Sequence, residues 1–84
     1  MAGNEPILLF PRIDLGQAER LSSLVDCFGE AQEAIGKIVT RGFDARTVDG
    51  INTNRAVLEA SLRELNAAVA ALVASGDIDG EKLK

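Results

Sequence analysis

Two short polar pairs with the same spacing are the residues of this sequence best placed to do chemistry. Cys27 and Glu30 form one pair, Ser61 and Glu64 form the other, and the pairs are offset by 34 residues. Residues three apart lie on one face of a helix, so each pair presents a carboxylate beside a thiol or a hydroxyl. Mg²⁺ prefers carboxylate oxygens, and a thiol is a poor ligand for it. The spacing alone favours solvated glutamates beside small packing residues; the alternative is a weak site for a hard cation.

The first pair lies on a segment whose apolar residues recur every three or four positions, as in a helix. Asp14 is placed to cap this helix, Gln17 to complete a capping box and Gly42 to end it. The sequence predicts a first helix over residues 15–41, roughly 40 Å long at 1.5 Å per residue. Its predicted apolar stripe consists of Leu21, Leu24, Phe28, Ala31, Ile35 and Ile38.

The second pair lies on a similar segment that follows a stretch rich in turn residues. Residues 43–52 are typical of a loop, and Thr53 or Asn54 is placed to cap a second helix. This helix is predicted over residues 54–75, with Gly76 ending it. Its predicted apolar stripe consists of Leu58, Leu62, Leu65, Val69, Leu72 and Val73.

Two long helices joined by a short loop predict an all-α fold built on a long antiparallel helical hairpin. One hairpin buries one face of each helix, whereas two hairpins form a four-helix bundle with a closed core. Three Phe and no Trp or Tyr leave little bulk for a core, and small chains gain stability by oligomerising. We expect a homodimer or higher oligomer, with an irregular arm over residues 1–14 and one helical domain over residues 15–84. A well-packed monomer is the alternative.

The composition argues against several classes of function. One Cys and no His exclude a disulfide within the chain, zinc sites of Cys and His, and Ser–His or Cys–His catalysis. A net charge of −4 disfavours general nucleic-acid binding. No apolar run approaches the roughly 20 residues that cross a bilayer, and the start is unlike a signal peptide. We therefore expect a cytoplasmic protein with no nucleic acid and no membrane among its partners.

Around the two polar pairs, the sequence resembles the MazG-like nucleoside triphosphate pyrophosphohydrolases. Residues 26–37, DCFGEAQEAIGK, resemble the family's first helix, which has Glu-Glu-x-x-Glu followed by Gln-Ala-Ile and a Lys. Residues 53–66, TNRAVLEASLRELN, resemble its second helix, which has Thr-Asn-Arg, an acidic run and Glu-x-x-Asp. The likeness covers about residues 17–84 and implies a MazG-type oligomer. The family's four acidic metal-binding positions fall on Cys27, Glu30, Ser61 and Glu64.

The resemblance implies roles for individual residues. Glu30 and Glu64 would be catalytic and, with Asp26, would bind Mg²⁺, while Cys27 and Ser61 occupy ligand positions that are acidic in active relatives. The family's reaction is attack of water at the α–β phosphoanhydride, which gives a nucleoside monophosphate and pyrophosphate, with Mg²⁺ neutralising the phosphates and activating the water. The implied substrate-binding residues are Lys37, Arg41, Asn54 and Arg55, of which Arg41 falls one residue from the family's Arg.

Three functions are compatible with this resemblance and with the two substituted ligand positions. The first is a degenerate pyrophosphohydrolase that binds nucleoside triphosphates with weak or no hydrolysis, since losing two carboxylates weakens metal binding. The second is an active enzyme with a reduced Mg²⁺ site, in which Asp26, Glu30, Glu33 and Glu64 provide the acidic groups. The third is a non-enzymatic helical module for oligomerisation or interaction, with only architectural likeness to the family.

Overall fold

The computed structural model describes residues 12–84, so almost all of the predicted arm lies outside the described residues. Helix α1 spans Leu15–Arg41, helix α2 spans Asn54–Ala74, and a 3₁₀ turn spans Gly80–Leu83. The two helices pack against each other, and within residues 12–84 the only β pairing is one isolated bridge in the loop. No helix in this range is long and apolar enough to cross a membrane. The prediction of an all-α chain with two packed helices is confirmed.

The ends of α1 are set by the predicted capping residues. The Asp14 carboxylate accepts a hydrogen bond from the backbone N–H of Gln17 at 2.7 Å, and the Asp14 N–H donates to Gln17 Oε1 at 2.9 Å. At the other end, Gly42 has a φ of 96° and its N–H donates to the Ile38 carbonyl at 2.7 Å. The capping box and the terminal glycine therefore fix the predicted bounds of α1.

The loop turns the chain back and ties the end of α1 to the start of α2. Thr53 caps α2 by accepting a hydrogen bond from the Ala56 N–H at 3.2 Å. The buried Asn54 donates from Nδ2 to the Gly42 carbonyl at 3.1 Å and from its backbone N–H to the Ala45 carbonyl at 2.9 Å. These bonds hold one end of the antiparallel hairpin.

A two-pronged ion pair holds the other end of the hairpin. Arg20 donates from Nε to Asp77 Oδ2 at 2.6 Å and from Nη2 to Asp77 Oδ1 at 3.1 Å, and both side chains are largely buried. Gln17 reaches the same carboxylate at 3.4 Å. The hydrogen bond from Arg20 lowers the pKa of Asp77 below its usual value. Arg20 lies in the early part of α1 and Asp77 just after α2, so this pair closes the open end of the hairpin.

The helices meet through small side chains. Burying a leucine contributes about 1.5–3 kcal/mol, and an alanine side chain contributes much less because it is one methyl group. The contact therefore brings the helices close together but buries little apolar surface. Among the described residues, the buried hydrophobic side chains are Ala18, Ala31, Ala34 and Leu72.

The apolar stripe predicted for α1 divides into two parts. Ala31 is buried, and Leu24 and Ile38 are half-buried between the helices. Phe28 and Ile35 remain 49% and 48% exposed, and Leu21, at 43%, is exposed as well. The expectation of one stripe facing α2 is wrong for these three residues, because they lie to one side of the contact between the helices.

Replacing Gly29 or Gly36 with alanine is expected to stabilise the hairpin by about 0.5–1 kcal/mol each, because glycine in a helix interior loses more backbone entropy on folding. Both residues are exposed, and a Cβ added at either meets nothing within 4 Å. Urea denaturation followed by circular dichroism measures the change. The same substitution at Gly42, whose φ is 96°, is the matched control and should destabilise the chain. Equal effects at all three positions would contradict the argument.

Replacing Asp77 with Asn is expected to lower the urea midpoint at neutral pH, because the neutral amide weakens both bonds to Arg20. A carboxylate whose pKa is lowered on folding stabilises the fold above its unfolded pKa, and this contribution is lost as the pH falls through the lowered value. The difference between wild type and variant should therefore shrink in acid. Arg20→Lys keeps the charge without the two-pronged geometry and should give an intermediate loss. A difference independent of pH would exclude the ion pair as its cause.

Candidate functional site

Two carboxyl groups face each other across the middle of the hairpin. Glu30 on α1 and Glu64 on α2 lie close enough to share a hydrogen bond when one of them is protonated. This hydrogen bond raises the pKa of Glu30, and the negative charge of Glu64 and partial burial raise it further. Antiparallel packing thus brings together one member of each polar pair.

Cys27 lies beside the two carboxyl groups and is half-buried. Burial is the main reason that the pKa of its thiol is raised, and the charges of Glu30 and Glu64 add to the shift. A thiolate, not a thiol, is the nucleophile and the metal ligand. The surroundings of Cys27 therefore favour the unreactive, neutral form.

Ser61, the fourth residue of the two polar pairs, lines a short groove of about 230 Å³. The residue is only 6% exposed. Lys37 is on the same groove, where its Nζ lies 3.4 Å from a carboxylate oxygen of Glu33. The residues that line this groove are Glu30, Glu33, Ala34, Lys37, Val57 and Ser61.

A larger groove of about 580 Å³ lies on the other side of the carboxyl pair and includes Cys27 and Glu64. Its floor is apolar, since three alanines of α2 contribute to it. Its charged residues are Glu19, Glu64 and Arg20, and the cation is already paired with Asp77. The groove therefore offers a negative rather than a positive surface. Its lining is Gly16, Glu19, Arg20, Ser23, Cys27, Glu64, Ala67, Ala68 and Ala71.

Two of the predicted substrate-binding residues are engaged at the loop end of the hairpin. Asn54 is buried and donates to Gly42. Arg55 pairs with Asp44, and its guanidinium lies 5.2 Å from the centre of the Phe43 ring. At 1.5 Å per residue, both are about 14–15 Å along α2 from Glu64. They stabilise the loop in the described fold and are not brought to the carboxyl pair.

Arg41 and Lys37 lie on α1 towards the same end. Arg41 is the last residue of the helix and is exposed. It lies about 16 Å along the axis from Glu30, whereas Lys37 lies about 10 Å away. Of the four residues predicted to bind substrate, Lys37 lines the short groove beside the carboxyl pair, and the other three do not line it.

Asp26, the third predicted metal ligand, lines a separate groove with Ile13, Leu21 and Val25. Its charge still contributes to the raised pKa of Cys27. Within residues 12–84, no group of three or more acidic, Cys or His side chains has an arrangement that would hold a metal ion. Glu30 and Glu64 alone are too few for an ion held only by the protein, because Mg²⁺ takes six oxygens. Magnesium stays a prediction that depends on oxygen ligands from a bound phosphate.

Sequence reasoning missed the larger groove and the ion pair that closes it. The signal for the α1 wall is the continuation of the Cys27–Glu30 face through Ser23 and Glu19, in steps of four. The signal for the α2 wall is its run of alanines. Arg20 and Asp77 are 57 residues apart in the sequence, so no local sequence pattern predicts that they pair.

Comparison with known proteins finds no matching family model, no matching curated protein and no matching solved structure.

Replacing Glu30 with Gln is expected to raise the thermal midpoint at pH 7, because it removes the repulsion from Glu64 and leaves a hydrogen-bond donor. A carboxyl whose pKa is raised on folding stabilises the fold below its unfolded pKa, and this contribution is lost as the pH rises through the raised value. The advantage of the variant should therefore shrink towards pH 4. Calorimetry across this range measures both effects.

Glu59→Gln is the matched control, since it removes the same charge from an exposed position of α2. It should change the midpoint little. An equal gain in both variants would assign the effect to the net charge of the chain and not to the carboxyl pair.

Proposed function

We propose that the chain is a degenerate MazG-like helical protein that binds nucleoside triphosphates with weak or no hydrolysis and assembles into a four-helix-bundle oligomer. The facing carboxyl groups of Glu30 and Glu64 carry this proposal. They belong to two polar pairs with equal spacing, and antiparallel packing brings them together at the junction of two grooves.

Binding would use the short groove for the phosphates of a nucleotide. Lys37 provides the positive charge there, and the buried Ser61 provides a hydroxyl. The neighbouring glutamates oppose a bare polyphosphate, so the nucleotide would bind as its complex with Mg²⁺. The larger groove, with its alanine floor, would receive the apolar faces of the base or the sugar.

Weak or absent hydrolysis follows from the side chains beside the carboxyl groups. Cys27 is held as a neutral thiol, and Ser61 carries no charge. Two carboxylates hold a divalent cation less firmly than four, so a metal-activated water is poorly supported. The alternative of an active enzyme requires Asp26 and Glu33 to supply the missing charge, and Asp26 lines another groove.

A non-enzymatic interaction module is the second candidate function. The observation that favours it is the number of large apolar side chains that stay exposed on both helices, such as Val25, Val39 and Leu62. In this candidate the carboxyl pair is only a polar flank of the hairpin.

A nucleotide titration distinguishes these functions. A nucleoside triphosphate with Mg²⁺ at 100 times its dissociation constant should stabilise the fold by about 2.7 kcal/mol. The midpoint of a domain of this size should then rise by roughly 10–20 °C. Lys37→Ala should remove the shift, because it removes the positive charge of the short groove. Lys82→Ala in the exposed C-terminal turn is the matched control and should leave the shift intact.

A pyrophosphate-release assay on any nucleotide that binds completes the test. A shift without turnover is the expected result. A shift with Mg²⁺-dependent turnover that is lost in Glu64→Gln would establish the active enzyme. No shift with any nucleotide would reject nucleotide binding and leave the interaction module.

A further inference from the structure

Helix α1 carries a second apolar seam that does not face α2. The buried and half-buried residues of α1 recur here in alternating steps of three and four. They are Leu24, Cys27, Ala31, Ala34 and Ile38. The residue after each of them is part of this second seam. Its apolar members are 48–81% exposed. Their spacing is that of a helix that packs against a further helix. The members in order are Val25, Phe28, Gln32, Ile35 and Val39.

Helix α2 has a second seam of the same kind. It also follows the residues that face the partner helix by one position, and its apolar members are half-buried or exposed. It, too, has one amide side chain among the apolar ones. The members in order are Leu58, Leu62, Asn66, Val69 and Val73.

The two seams lie on the same side of the hairpin. One residue along a helix is a turn of 100°, and because the helices are antiparallel, equal steps turn both seams to the same side. Leu65 and Ala31 face the partner helix, and Glu64 and Glu30 precede them by one residue. A step of one residue backwards turns a side chain the other way, so the carboxyl pair lies on the side of the hairpin opposite to the seams. We call the ten residues of the two seams the outward face.

The outward face has the chemistry of an interface between copies of this chain. From Val25 to Val39 it runs about 21 Å, and it is about 20 Å wide, the breadth of two helices. Its projected area is thus roughly 400 Å² before the relief of the side chains is counted, about half of the roughly 800 Å² that a standard interface takes from each partner, so the expected interface is at the small, weak end of the range. None of its ten residues is charged, so two copies meet here without repulsion despite a net charge of −4.

The amides Gln32 and Asn66 also suit a partner with the same surface. A single polar residue in an apolar seam fixes register and oligomeric state when a matching polar group meets it. A second copy brings the same two amides to the contact, whereas a wholly apolar partner would leave them unpaired.

We propose that the outward face is buried against the outward face of a second copy, which closes a four-helix bundle and leaves both grooves open on the outer sides. This names the surface of the oligomer that the proposed function includes, and it does not depend on nucleotide binding. Sedimentation equilibrium across the micromolar range should give twice the chain mass. The melting temperature should also rise with protein concentration, as it does for dimers whose folding is linked to association.

Lysine at Val25 and at Val39 tests the surface. These residues are 66% and 81% exposed in the hairpin, so the isolated chain tolerates the charge. Burying a lysine in an apolar contact should raise the dimer dissociation constant about tenfold or more per substitution. Val48→Lys is the matched control, because Val48 is 94% exposed in the loop, away from both seams. It should leave the mass unchanged.

Several outcomes would overturn the proposal. They are a dimer whose mass and dissociation constant are unaffected by both lysines, and a wild-type chain that is monomeric with a melting temperature independent of concentration. A monomer that loses stability when shortened to begin at Arg12 would assign the face to the preceding segment of its own chain. If the lysine variants unfold, Val25→Ser and Val39→Ser replace them, because they weaken the apolar contact without adding a charge, and an unchanged dissociation constant in both would overturn the proposal. Nucleotide shifts that persist in these variants would leave the proposed function standing without this interface.

Discussion

The close contact between two helices through alanines is the constraint on which the rest of the structure depends. Ala31 and Ala34 of α1 and Ser61 of α2 are buried, and small side chains where two helices meet permit a short interaxial distance. That distance brings the carboxyl groups of Glu30 and Glu64 together. The same small side chains bury little apolar surface, so the hairpin depends on its capping residues, on the Arg20–Asp77 pair and on any surface that covers its exposed side chains.

Electrostatic interactions stabilise the open end of the hairpin and destabilise its middle. At the open end, a carboxylate with a lowered pKa is stabilised by an arginine; in the middle, a carboxyl with a raised pKa is destabilised in its charged form by a second carboxyl. Acid therefore weakens the end and relieves the middle. Acidic residues in place of Cys27 and Ser61 would increase the repulsion among the carboxylates when no cation is bound. The neutral residues found there therefore favour a fold that is stable without a metal ion.

Local features were predicted well because local interactions determine them. The capping box at Asp14, the glycine at 42 and the cap at Thr53 set the helix ends within about one residue. The helical phase also placed Glu30 opposite Glu64. The helical phase could not show which apolar residues of α1 face α2 and which stay exposed, because periodicity gives the direction of a side chain but not what lies there. The role of Asn54 in tying the loop was missed for the same reason, since its partner is the carbonyl of Gly42.

A hairpin of two helices has two broad faces, and in this chain their chemistry differs. One face carries every charged group of the two grooves, the buried Ser61 hydroxyl and the shielded thiol of Cys27. The other carries ten uncharged residues with one amide in each seam. Solvation of a lone hairpin would explain the first face but not the second, because exposed Val25 and Val39 gain nothing from water. The uncharged face is the one on which the proposed interface between copies would lie, and the charged face is the one on which the proposed ligand would bind.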